Sequence, residues 1–293
     1  MSWLAFQIAA TVLLSVNSIM DKRLVRDHAQ NPALYLASFA VVGLPATLIG
    51  CWLVPWRGVK VVSIGLAAGL TYAGAIWLYY RAMNLAEVSR LASVLRMSTV
   101  FKLILVSVFL DDHLTLRLYS ALVFMMMGTF AISWTKNGPT SASAATQRRG
   151  IWLMMLAAFL LAISGTLSSY IVLSYLPWDN MVWTNAGIVL ALFLLLLIPA
   201  QRISLHQAAA STSFRLRTVL MGEQLGRLIV SILTDWAIYL GKSVAITTFV
   251  SELRPLLVLI MAVIFLDEKI SKQDIFPKLG GISLMGIGGL LLL

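Results

Sequence analysis

Charge is scarce in this sequence. Only 12% of its 293 residues are Asp, Glu, Lys or Arg. A water-soluble chain averages about a quarter, so there is too little charge here to cover a globular surface, and a soluble enzyme is excluded. Cysteine occurs once, as Cys51 inside an apolar run, so no intramolecular disulfide can form. The histidines are His28, His113 and His206, all in polar stretches between apolar runs, and no His-Glu-x-x-His or paired-carboxylate motif accompanies them. An intramembrane enzyme needs a nucleophile with its base, or metal ligands at helical spacing, which makes that the weakest of the readings considered. No glycine-rich nucleotide loop occurs, so neither ATP nor another cofactor is implied. The apolar share of 60% is in turn far too high for a disordered chain.

Long apolar stretches are what the chain has in abundance. A helix needs about 20 residues to cross roughly 30 Å of hydrocarbon. Ten stretches of that order occur, at 2–20, 33–55, 61–83, 89–110, 115–134, 150–174, 179–200, 216–240, 244–266 and 275–293. In lipid the backbone amides have only one another as partners, so each stretch predicts a helix. The expected class is an all-α integral membrane protein of ten transmembrane helices, with the bilayer as its first partner. The first stretch lacks a basic leader, and Asp21-Lys22-Arg23 follows it where a signal peptide would have small residues. It therefore reads as a helix.

The net charge of +10 does not point to nucleic acid, because the basic residues form no single long cluster and no aromatic-basic module. They mark topology instead. Lys22, Arg23, Arg26, Arg81, Arg90, Lys136, Arg148, Arg149, Arg202, Arg215, Arg217, Lys269, Lys272 and Lys278 fall on one side of the expected membrane, and only Arg57, Lys60, Arg117 and Lys242 on the other. Positive loops stay cytoplasmic, so both termini are expected outside the plasma (inner) membrane of a bacterium or archaeon. Trp3, Trp52, Trp56 and Trp178 gather at the outer level and Trp134 and Trp152 at the inner, as interfacial belts do.

The one polar, low-complexity stretch, 135–149, divides the chain into repeats at 1–134 and 150–293 with a cytoplasmic linker between. Phe109-Leu110-Asp111-Asp112-His113-Leu114-Thr115 after the fourth span matches Phe265-Leu266-Asp267-Glu268-Lys269-Ile270-Ser271 after the ninth, 156 residues later. Trp3 and Ser15 of the first span likewise lie 149 residues before Trp152 and Ser164 of the sixth. With five spans per half, the second copy enters the membrane in the opposite direction. Inverted repeats of this kind let one half rock against the other around a midplane site.

On the five-plus-five duplication, the Leu-acidic-acidic turns and Pro255 in the ninth span, the whole chain resembles the drug/metabolite transporter superfamily, specifically its ten-helix EamA-type members. Thr99 stands roughly where the counterpart of Pro255 is often found, and Asp112 where a Glu is common. The resemblance implies a secondary transporter exporting or exchanging a metabolite by alternating access, with a smaller relative group moving lipid-linked sugars. Small multidrug relatives carry an essential Glu in the first helix, and this chain has none there, which disfavours a cationic-drug antiporter.

A charge at the centre of a span costs about 2.5–3.5 kcal/mol even on the lenient insertion scale, so each intramembrane charge needs a partner, water or a function. Arg254, mid-span and just before Pro255, is the leading substrate contact, with pairing to a carboxylate of the eighth span as its alternative. Glu252 sits about 200° around the same helix and needs another neighbour. Arg96 holds nearly the matching place in the first repeat, although it could also snorkel to the cytoplasmic end. Lys102, expected between helices, is a candidate for proton coupling. Glu223 and Arg227 are spaced for an ion pair within one helix, and the arginine could still offer its fork to a carboxylate or phosphate. Asp235, also a coupling candidate, lies near the outer end and is expected to meet water. Asn17, Trp77, Tyr79, Tyr80, Asn185 and Ser251 could shape the cavity, while Gly65 and Gly69 are spaced to let helices approach.

The leading expectation is thus a transporter of a small metabolite bearing a carboxylate or phosphate, its site lined from spans 1, 3, 4, 6, 8 and 9. The alternative is a flippase for a lipid-linked phosphate or sugar. One chain holds both repeats, so a monomer suffices and a dimer is compatible.

Overall fold

An apolar chain in lipid satisfies its backbone by forming helices. A computed structural model of the protein is helical throughout, with no strand among the described residues. It describes residues 2–27, 31–85, 91, 94–110, 115–133, 144–254, 257–258, 260–261, 279–284, 286–288 and 291. Positions 111–114, the turn at 265–271, Pro255 and linker positions 135–143 lie outside the described residues. The helices are α1 (Ser2–Asp27), α2 (Pro32–Leu53), α3 (Val59–Met83), α4 (Met97–Phe109), α5 (Leu116–Ser133), α6 (Ala144–Ser174), α7 (Pro177–Leu196), α8 (Pro199–Ser211), α9 (Phe214–Gly241) and α10 (Val244–Ser251).

Local chemistry sets many of the boundaries. Asn31 caps α2 by accepting from the amide of Ala33 at 2.9 Å, and Ser213 and Ser243 cap α9 and α10 by accepting from Leu216 and Ile246, each at 3.3 Å. Pro32, Pro177 and Pro199 open α2, α7 and α8, where the missing amide is no loss. Lys242, at φ 53°, takes the left-handed conformation that ends α9.

Among the described residues, four helices are long and apolar enough to cross a membrane: Pro32–Leu53, Val59–Met83, Ala145–Ser174 and Pro177–Leu196. Ser2–Ser18, Met97–Phe109, Tyr119–Gly128 and Leu279–Gly288 are apolar but shorter. Helix α9 has 28 residues but carries Glu223, Arg227 and Asp235. Three features depart from the sequence expectation. The stretch expected as one span at 89–110 is interrupted by a turn at Arg96, and that at 244–266 by turns at Glu252 and Leu253. A stretch expected as loop forms α8, whose 13 residues would reach only about 20 Å. Helix α6 begins at Ala144, inside the segment read as linker.

In the packed structure α3 lies against α6 and α7, α1 against α9, α2 against α7, and α4 against α6. Glycine permits the closest of these approaches. A Cβ at Gly69 would lie 2.7 Å from Gly187 Cα and Ile188 N, and one at Gly187 would lie 2.9 Å from Gly69 Cα. The polarity of the molecule is inverted relative to a soluble globule. Large apolar side chains such as Leu48, Ile49, Trp52, Val108 and Phe193 are exposed, while Gln7, Thr11, Asn17, Glu223, Gln224, Asp235 and Glu252 are buried. So extensive an apolar exterior is what lipid contact requires and what a water-soluble monomer avoids.

Candidate functional site

A cavity of about 260 Å³ lies between α2, α3, α4, α6, α7 and α9. Helix α9 supplies one wall with Arg227, Ser231, Thr234, Asp235 and Ile238, residues three and four apart that form a single stripe. Helix α7 faces it with Asn180, Thr184, Asn185 and Ile188, and α6 with Ser164, Gly165, Ser168 and Ser169. Phe39 of α2 and Tyr72 of α3, with ring centroids 5.5 Å apart, and Lys102 of α4 complete the lining.

Charges of both signs meet here. Asp235 is only 6% exposed. Its Oδ2 accepts from Asn180 Nδ2 at 2.7 Å, and Asn180 Oδ1 accepts from the Thr184 hydroxyl at 2.9 Å. This chain of bonds fixes the carboxylate against α7. Lys102 enters over Gly165, where a Cβ would stand 3.3 Å from both Lys102 Cδ and Cε, so the glycine makes room for the lysine stem. Lys102 makes no hydrogen bond or ion pair with the described residues, and Asp235 acts on it electrostatically.

Arg227 is held from behind. Its Nε donates to Glu223 Oε1 at 2.7 Å, the Tyr35 hydroxyl donates to the same oxygen, and the guanidinium carbon stands 5.5 Å from the centre of the Tyr35 ring. Glu223 is wholly buried, so its charge is neutralised beneath the cavity wall while Arg227 forms part of that wall. The hydroxyls of Ser168, Ser231 and Thr234 make no hydrogen bond with the described residues. The arrangement offers a small polar molecule a cation, a carboxylate, a braced guanidinium and uncommitted hydroxyls. Because burying polar groups of a ligand costs energy unless they are paired, these groups select for a ligand that can pair with them.

Of the residues singled out in the sequence, Arg227, Asn185, Lys102 and Asp235 line this cavity, and Glu223 supports it. Asp235, expected near an outer end, is instead buried in the cavity wall, where Asn180 Nδ2 donates to it. Arg254, Arg96, Glu252, Ser251 and Asn17 are not among the described lining. Arg254 Nε donates to the Ser18 hydroxyl of α1 at 2.9 Å. Glu252 is buried and accepts from the Thr99 hydroxyl at 2.6 Å. Ser251 accepts from Gln7 Nε2 at 2.7 Å, and Asn17 fills the space left by Gly226. Arg96 sits in the turn preceding α4. Tyr80 packs on Tyr35 with ring centroids 4.5 Å apart, and Tyr79 packs edge-on against Tyr80. Trp77 lines a different pocket.

Among the described residues, α2 and α7 line this cavity and spans 1 and 9 do not. The hydroxyl wall and Asn180 were not anticipated. Their signal in the sequence is the recurrence of polar residues at 227, 231, 234 and 235, and at 180, 184 and 185, a stripe along an otherwise apolar helix that single charges do not reveal. Among the described residues no cluster of three or more His, Cys, Asp or Glu could hold a metal ion.

The chain is similar to a protein of known crystal structure. Superposition gives a TM-score of 0.73 at 14% sequence identity, covering 99% of this chain and 96% of that one. The likeness is one of fold. No protein-family model and no curated protein matches the chain.

Proposed function

We propose that this protein is an integral membrane transporter of the EamA type, with ten spans in two inverted halves and both termini outside the inner membrane. It moves a small metabolite bearing a carboxylate or phosphate by alternating access. The observation that carries the reading is the polar cavity enclosed by apolar helices, with Lys102, Arg227 and Asp235 on its walls. Three ionisable groups at such depth are costly unless they serve a ligand or an ion pathway. Lys102 and Arg227 attract the anionic group, and Asp235 suits a positive group on the same molecule or a coupling proton.

Internal symmetry supports the two-halves reading. The turns at Arg96 and Glu252 are 156 residues apart, the same offset as the acidic turns, and the Thr99–Glu252 bond joins the two broken helices. Contacts of α1 with α9 have their counterpart in contacts of α6 with α3, and α2 packs on α7 across the same arrangement. Discontinuous helices meeting near a central site are a recurring device in transporters built from repeats.

A volume near 260 Å³ lies below the common range of about 300–1,000 Å³ for drug-sized ligands. It favours a small metabolite over a lipid-linked sugar, which is the alternative. The test is the melting midpoint of the purified protein against amino acids, organic acids, sugar phosphates, organic cations and polyprenyl phosphates, because a ligand bound only by the folded state raises the midpoint. Water-soluble anions are expected to raise it in the wild type and not in Lys102→Ala or Asp235→Asn, and the same compounds are expected to show counterflow in proteoliposomes. A rise with polyprenyl phosphates alone would favour the flippase. A rise with cations alone, or one unchanged in both variants, would overturn the assignment.

A further inference from the structure

A second pocket, of about 610 Å³, opens where the last turn of α3, the start of α2 and the first turns of α8 meet. Asn31 builds it. Its Oδ1 caps α2, and its Nδ2 donates to Ser204 Oγ at 3.0 Å, pinning α8 in place. Because Ser204 Oγ accepts that bond, its own proton remains available. Arg81 lies over the Trp77 ring, 5.5 Å from the centroid, and makes no ion pair with the described residues. The Gln201 side chain makes no hydrogen bond with them either. Ala200 and Gln201 of the first turn of α8 line the pocket, so the positive end of the helix dipole faces it, although the Gln201 amide itself donates to Ile198 O at 3.0 Å. Among the described residues no carboxylate lines the pocket. A guanidinium, an amide, a hydroxyl and a helix N terminus thus converge on a space whose described lining holds no anion.

We propose that this pocket is a phosphate-binding site occupied by the headgroup of an anionic phospholipid, with Arg81, Gln201 and Ser204 as its donors. The chemistry is that of phosphate recognition: a planar fork, neutral donors and a helix dipole of the right sign. The lipid as source rests on the membrane reading above and on α8 itself. That helix is too short to span, and Leu197, Ile198 and Ile203 beside the pocket are exposed, as in helices that lie in the headgroup plane. The basic side of the chain would bring the site to the cytoplasmic leaflet, whose anionic lipids attract such residues.

The test titrates the full-length protein, stripped of lipid in detergent, with short-chain phosphatidylglycerol, phosphatidylcholine of the same chain length, and sodium phosphate, following the melting midpoint. Phosphatidylglycerol is expected to raise the midpoint saturably and phosphatidylcholine to leave it unchanged. Arg81→Gln should weaken half-saturation about tenfold, the loss of one charge-assisted hydrogen bond. Gln201→Leu should weaken it less, and it carries the test if Arg81→Gln does not fold. Arg202→Gln, on the same helix outside the lining, should change nothing. A response to inorganic phosphate with the same dependence on the variants would support the anion site and overturn the lipid as its source. No response to either, or an equal response in wild type, Arg81→Gln and Gln201→Leu, would overturn the site. Binding in a protein that fails every transport assay would leave this site standing and count against the transporter alone.

Discussion

Replacing Arg227 by alanine should destabilise the protein more than replacing Arg227 and Glu223 together. The single change takes the Arg227 guanidinium away from a wholly buried carboxylate, to which the Tyr35 hydroxyl still donates. Breaking a buried pair from one side costs about 3–5 kcal/mol. The Arg227 side chain keeps 20% of its surface exposed and Tyr35 continues to donate, so the lower end applies: about 3 kcal/mol, on the order of a hundredfold in the folding equilibrium. The double variant Arg227→Ala with Glu223→Gln removes the buried charge together with its guanidinium and should lose only about 1–2 kcal/mol, from hydrogen bonding alone. Reversible unfolding in mixed micelles of increasing denaturing-detergent fraction would measure all four corners of the cycle. The reasoning is refuted if the double variant is no more stable than Arg227→Ala, or if the coupling falls below about 0.5 kcal/mol, the scale of independent sites.

Two further sets of substitutions probe the packing and the helix breaks. Gly69→Ala and Gly187→Ala each drive a methyl into the facing backbone and should cost about 1–3 kcal/mol, whereas Gly222→Ala, with no atom within 4 Å of the new methyl, should be neutral or stabilise by up to about 1 kcal/mol; melting midpoints of the three variants decide. Thr99→Val removes the hydroxyl that donates to buried Glu252 and should cost about 1–3 kcal/mol, with Thr99→Ser restoring most of it. Equal midpoints for Thr99→Val and Thr99→Ser would show that the bond does not stabilise the fold.

Much of the candidate site was legible as an inventory and little of it as an arrangement. Arg227, Lys102, Asp235 and Asn185 stand out because a polar side chain in an apolar span is conspicuous on its own. Arg254 stood out for the same reason, yet it reaches Ser18 on α1. Its direction cannot be carried along the helix at about 100° per residue when the helix is broken at Glu252 and Leu253. Arg96 lies in the corresponding break. Asp235 was expected near water because its position along the span was readable while the facing Asn180, 55 residues earlier, was not.

The sequence by itself determined that this chain is helical, where many of its helices begin, and that a handful of its charges lie inside apolar stretches. These are local properties: backbone pairing in an apolar run, capping by Asn31, Ser213 and Ser243, and the placement of Pro32, Pro177 and Pro199. Only the tertiary structure decided which charges share a space. Lys102 and Asp235 come from helices more than a hundred residues apart, and their meeting depends on Gly165 yielding room and on α7 pressing against α3 through Gly69 and Gly187. Helix rotation is set by such contacts, and in a chain whose outer faces carry apolar side chains such as Leu48, Val108 and Phe193, periodicity alone carries little record of which face turns inward.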